Sequence, residues 1–201
     1  MRFYWFVLTL LISGQAYAEV RLSLTAEYER PTLSSTSGQL PASLTNSTGQ
    51  WGWGGGVSLG IPIYEESIFI QSGALYIPRV VSDGQTTTTF NFVEIPLQLR
   101  IWLTKHIVMG VGGYYAQGIG SAQVVNLSGT GSVPFNNLGV ATSDYGVMAS
   151  LGVQKHIVEG VALFLEGDYE YGLKDVDSTS PTSGTTKWSE FGVLTGLRLA
   201  L

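Results

Sequence analysis

Apolar side chains recur at every second position along most of this chain, and a period of two belongs to extended strands, whose successive side chains point to opposite faces. In the first such segment Val20, Leu22, Leu24, Ala26 and Tyr28 share one face, while Arg21, Ser23, Thr25, Glu27 and Glu29 share the other. In the fourth, Val93, Ile95, Leu97, Leu99 and Ile101 oppose Phe92, Glu94, Pro96, Gln98 and Arg100. The seventh sets Val161, Leu163, Leu165, Tyr169 and Tyr171 against Ala162, Phe164, Glu166, Asp168 and Glu170. The eighth sets Phe191, Val193, Leu197, Leu199 and Leu201 against Glu190, Gly192, Gly196 and Arg198. Four glycine-rich segments, 51–61, 67–77, 107–117 and 144–154, carry the same period more loosely. Their apolar faces are assigned to Trp51, Trp53, Val57 and Leu59; to Ile68, Ile70 and Tyr76; to Met109, Val111 and Tyr115; and to Tyr145, Val147, Leu151 and Val153.

The connections alternate as well. Segments 31–50, 80–89, 118–143 and 174–187 are long and rich in Ser, Thr, Gly and Asn, whereas 62–66, 104–106 and 155–158 are short. An even number of strands of ~9–11 residues, joined alternately by long loops and short turns, is the pattern of a bacterial outer-membrane barrel with both termini in the periplasm. The predicted fold is all-β: an eight-stranded antiparallel transmembrane up-and-down β-barrel. A repeat at an offset of fifty, Lys105-His106-Ile107-Val108-Met109-Gly110-Val111 against residues 155–161 with Glu159 in place of Met109, is expected to mark equivalent periplasmic turn-to-strand junctions.

A secreted soluble barrel shows the same alternation with the apolar face turned inward. Composition separates the two. Charged residues make up 12% of the chain, about half the ~25% of an ordinary soluble domain. The polar faces hold mostly Gly, Ser and Gln, which suits a crowded interior better than a water-exposed surface, since eight strands enclose room only for interlocking side chains. Trp51, Trp53, Tyr76, Tyr115, Tyr145, Tyr169, Tyr171 and Phe191 all fall at the long-loop ends of the strands, where an outer interfacial girdle belongs. No stretch beyond the N-terminal segment approaches the ~18 consecutive apolar residues of a transmembrane helix.

Arg2, an apolar run over residues 3–12 and the small-x-small triplet Ala16-Tyr17-Ala18 read as a secretory signal peptide, residues 1–18, preceding a barrel domain over 19–201. Mass spectrometry of the protein recovered from outer membranes should find Glu19 at the mature N-terminus; an intact Met1 in the inner membrane would overturn the assignment. The absence of Cys excludes disulfides, thiolate metal sites and a thiol nucleophile. A net charge of −5 with four Lys excludes a nucleic-acid partner, whose phosphates require clustered basic surface.

Two His invite an acid–base or metal-site reading. Both His106 and His156 lie in predicted periplasmic turns, away from the outer end at which lipid-acting barrel enzymes work, so neither an enzymatic activity nor a metal or cofactor is expected. The inward charges carry more information. Following strand direction, Arg21, Arg100 and Arg198 fall toward the periplasmic half, and Glu27, Asp144, Glu166, Asp168, Glu170 and Glu190 at mid-height or nearer the outer opening, with Glu94 sharing the parity of Arg100. The structural reading is a lumen network of ion pairs and hydrogen bonds; the functional one is an acidic outer vestibule that collects cations or basic partners. Loops 31–50 and 118–143 are candidate surface-ligand contacts. Gly54-Gly55-Gly56 lacks the following Lys and helix of a phosphate loop and reads as close packing within a strand.

The segment Phe92-Val93-Glu94-Ile95-Pro96-Leu97-Gln98-Leu99-Arg100 resembles the hallmark strand of the PorT-like outer membrane protein beta-barrel domain family. Gly110-Val111-Gly112-Gly113-Tyr114 is similar to that family's glycine-rich fifth strand, and Tyr169-Glu170-Tyr171-Gly172-Leu173 to its seventh-strand ending. The resemblance implies an integral outer-membrane barrel of Gram-negative bacteria and, for most members, no established molecular activity. The residues themselves read as a plugged barrel with a structural or surface-interaction role, a narrow pore for small solutes or cations being the alternative and a lipid-acting enzyme the third reading. Its partners would be outer-membrane lipid, lipopolysaccharide and the barrel-insertion machinery. Such barrels commonly end in an aromatic residue that the machinery reads, whereas this chain ends Leu199-Ala200-Leu201.

Overall fold

The computed structural model describes residues 20–35, 44, 46–64, 67–177 and 185–201. The signal-peptide segment 1–18 and Glu19 lie outside the described residues. Among the described residues eleven strands form in chain order: β1 (Arg21–Ser35), β2 (Thr48–Gln50), β3 (Gly52–Tyr64), β4 (Ile68–Ser82), β5 (Thr87–Trp102), β6 (Ile107–Gly118), β7 (Ala122–Asn126), β8 (Gly129–Val133), β9 (Ser143–Val158), β10 (Val161–Gly172) and β11 (Thr186–Ala200). Eight of them close the barrel in the order β1-β3-β4-β5-β6-β9-β10-β11, every pair antiparallel, and β11 returns to β1 from Arg21↔Ala200 to Ser35↔Thr186. Closure leaves no unpaired edge, the condition for strands to lie in hydrocarbon, where an unsatisfied backbone group costs several kcal/mol. The three short strands extend the wall at one end: β2 adds to β4, and the β7–β8 hairpin adds to β5 at Thr87–Thr89.

The predicted alternation holds in all eight barrel strands. Leu97 is 59% exposed and its neighbour Gln98 is 6% exposed. Leu24, Val57, Ile70, Val111, Leu151, Leu163 and Leu197 are exposed likewise, so an apolar belt runs round the whole wall. A soluble monomer seldom exposes an apolar patch above a few hundred Å². The hydrocarbon of a bilayer is the medium that makes such a belt favourable.

Three expectations about the connections are corrected. The segment 80–89 is not a long loop: β4 and β5 stay paired as far as Ser82↔Thr87, leaving a tight turn over 83–86. Gly84 supplies φ +90° there, a conformation cheap only for a residue without Cβ. The Asp83 carboxylate accepts the backbone N–H groups of Thr86 and Gln85 at 2.7 and 2.9 Å, which hold its pKa below the ordinary carboxylate value. Second, the turn after β9 is not 155–158 but 159–160, because Gly160 at φ +73° makes the reversal. His156 therefore lies in β9, opposite Ala162, whereas His106 lies in the turn before β6. Third, the two copies of the repeat are not structurally equivalent. Lys105-His106 precedes its strand and Lys155-His156 closes one, since Met109-Gly110 continues β6 while Glu159-Gly160 turns the chain.

Candidate functional site

The lumen is the site with the densest chemistry, and the glycines on its wall make room for it. Gly52, Gly54, Gly56 and Gly60 of β3 and Gly110 and Gly112 of β6 face inward without side chains, so longer groups from other strands fill the bore. Eight acids point in and are buried: Glu27, Glu29, Glu94, Asp144, Glu166, Asp168, Glu170 and Glu190. Glu29, on the inward face of β1, extends the acid set expected from sequence.

Arg79 is the residue that sequence reasoning missed. Its guanidinium is fully buried, donates to Asp144 Oδ2 at 2.9 Å and pairs with Glu190. The Tyr114 hydroxyl donates to the same Asp144 oxygen at 3.0 Å. The signal lay in the sequence, because Arg79 shares the parity of the inward-facing Phe69, Leu75 and Ile77 once β4 is carried on to Ser82. Ending that strand at residue 77 hid it.

Lower in the bore Arg100 pairs with Glu166, not with Glu94, and its Nη1 donates to Gln98 Oε1 at 3.4 Å. Among the described residues, Glu27, Glu29, Glu94, Asp168 and Glu170 have no Arg or Lys within ion-pair distance. Between the pairs lies a cavity with about 20 Å³ of room, lined in part by Thr25, Glu27, Gln98, Arg100, Glu166 and Asp168. A polar space of that size holds a single water.

Among the described residues the acids do not line an open vestibule. Above the Arg79 pairs the long-loop end is sealed by an apolar cluster containing Leu44, Val81, Phe90, Phe92, Phe135, Val140, Val176 and Trp188. Phe135 enters from the short helix Phe135–Leu138 and packs edge-on against Phe90 and Phe92, with centroids 5.4 and 5.6 Å apart. Two loops are tied over the bore by Ala141 N–H to Val176 O at 2.8 Å and the bridge Val140↔Asp177. The cluster rests directly on the cation below it, with Arg79 Cζ 4.6 Å from the Phe92 ring centroid and 5.4 Å from that of Trp188.

The aromatic residues Trp51, Trp53, Tyr76, Tyr115, Tyr145, Tyr169 and Tyr171 are outward and exposed. Tyr28 stacks on Trp51 at 4.8 Å and lies 4.5 Å from Trp53, while Tyr115↔Tyr145 and Tyr169↔Phe191 are cross-strand partners. Trp51 sits one residue before β3. At the opposite, short-turn end Arg21, Arg198, Lys105 and His156 line an open mouth.

No protein-family profile and no curated protein matches the sequence. Among solved structures, the chain is similar to Neisserial surface protein A, with 14% identity and a TM-score of 0.50 over 90% of this chain and 97% of that one. It is also similar to the outer membrane protein OprG from Pseudomonas aeruginosa, with 10% identity and a TM-score of 0.50 over 92% of this chain and 96% of that one. The chain therefore has the fold of the small outer-membrane barrels.

Proposed function

We propose that the protein is an integral barrel of the outer membrane, non-conducting and without enzymatic activity, whose loops form a surface-interaction platform. The observation that carries this reading is the seal: with Phe135, Leu44 and Val176 closing the bore above the Arg79 pairs, the exterior meets the loops and never the lumen acids. Among the described residues the β7–β8 hairpin projects beyond the wall, with Val125 and Leu127 exposed near its tip and a shallow polar hollow beside it lined in part by Asn91, Gln123, Thr130 and Ser132. The long-loop end faces outward in this reading, and the 92–100 segment supports kinship with the PorT-like family. Both His are at the short-turn end, and among the described residues no group of acids and His is arranged to hold a metal.

In planar bilayers the refolded protein should pass no steady porin-size current at neutral pH. Replacing residues 123–132 with a Gly-Ser linker should leave the barrel folded while abolishing binding to lipopolysaccharide or whole cells. A stable cation-selective channel in the unmodified protein would sink the reading in favour of a pore.

A further inference from the structure

Arg198 is anomalous among the buried arginines. Arg79 and Arg100 each meet a carboxylate, whereas Arg198, only 4% exposed, has none within ion-pair distance among the described residues. Its Nε donates to Ser23 Oγ at 3.2 Å and its Nη1 to Gln154 Oε1 at 2.9 Å, both neutral oxygens. Among the described residues these are the hydrogen bonds that its guanidinium makes. The remaining support is aromatic: Cζ lies 4.9 Å from the Phe164 centroid and 5.8 Å from that of Trp102. Arg21 shares the same indole, with Cζ 5.5 Å from its centroid, so two guanidiniums flank one ring.

A buried cation without a counter-charge is costly, and rings with neutral acceptors offset only part of that cost. No described lumen acid lies within ion-pair distance of Arg198, and Glu166, at its end of the bore, pairs with Arg100. Arg198 instead lines the mouth at the short-turn end, a space of about 560 Å³ shared with Arg21, Lys105, His156, Trp102 and Gln154. Among the described residues that line it, Glu159, exposed in the 159–160 turn, is the one side-chain acid. A hollow of this size is within the usual range for a small ligand, about 300–1,000 Å³. No described carboxylate completes Arg198, and the mouth is the space onto which it opens.

We infer that the short-turn mouth is a binding site for a small anion bearing carboxylate or phosphate groups, with Arg198 as its fixed anchor and Lys105 at its rim. The planar guanidinium offers its outer N–H groups to an oxyanion, and Trp102 and Phe69 form the floor under Arg21. In the orientation proposed above this mouth opens to the periplasm, yet the site does not depend on any surface-binding role of the loops.

The test is calorimetric titration of the full refolded barrel, in uncharged detergent and chloride buffer at fixed ionic strength, with citrate and with inorganic phosphate. Saturable binding of citrate alone identifies a carboxylate site, of phosphate alone a phosphate site, and of both a general oxyanion site. Arg198→Gln should weaken that binding at least tenfold, and Lys105→Gln a few-fold. Lys187→Gln, at the far end of the barrel, should leave it unchanged. If Arg198→Gln does not refold, Lys105→Gln and Arg198→Lys carry the test, the latter retaining charge and measurable binding. Saturation by neither anion, or affinities unmoved by Arg198→Gln or, in its absence, by Lys105→Gln, overturn the inference.

Discussion

Replacing Arg79 with Met should cost the folded barrel about 3–5 kcal/mol, the penalty for removing one partner of a buried ion pair and leaving the other uncompensated. Met retains the length and apolar stem, so the substitution deletes the charge with little loss of volume. It strands Asp144 and Glu190 together beneath the aromatic seal, among further buried acids. The measurement is a urea titration of refolded protein, followed by the gel shift between folded and unfolded forms. Adding Asp144→Asn and Glu190→Gln to the same chain should recover most of the loss, because the acids to be compensated are then gone. A cost near that of an exposed pair, about 1 kcal/mol or less, would mean that water or neighbouring groups neutralise these acids and that Arg79 does not organise the bore.

Leu97→Arg should destabilise the barrel in lipid by ~2–4 kcal/mol, the depth-dependent cost of an arginine on the hydrocarbon face. Gln98→Arg, one residue along, should cost clearly less. Leu97 stands on the outer belt, while Gln98 lies in the polar bore, where its amide contacts Met148 Sδ at 3.3 Å and where Glu94 and Asp168 have no basic partner within ion-pair distance among the described residues. The pair shares one strand and one introduced residue, so the difference isolates the face. Urea midpoints in the reverse order would reject either the register or the membrane as surrounding medium.

The face of each strand was legible because burial has only two states along a strand and the sequence writes them as alternating residue types. Even the loose segments, such as 107–117 with its run of glycines, were readable from Met109, Val111 and Tyr115 alone. Strand ends were less legible. The 80–89 segment has the Ser, Thr and Gly composition of a loop, yet its threonines suit an extended hairpin as well, and only pairing across β4 and β5 decides between them. Arg79 disappeared from view with that boundary. The repeat misled for a related reason: identical residues at 105–108 and 155–158 took different positions relative to their turns, since Gly160 reverses the chain where Gly110 does not.

By itself the sequence determined the barrel, the number of its wall strands, the outward apolar belt and the parity of the inward charges on the strands it delimited, because those follow from local periodicity and from a shortage of charge. The tertiary structure decided which charges meet. Arg100 reaches Glu166 across the bore, 66 positions away in the chain, and Arg79 reaches Asp144 at a separation of 65. It also decided that Phe135 and Val176, on separate loops, close one end over the acids, and that Arg198 is left facing an open mouth at the other. Periodicity assigns a side chain to a face, but partners across a closed lumen depend on strand stagger and on loop closure, and neither is written in any single segment.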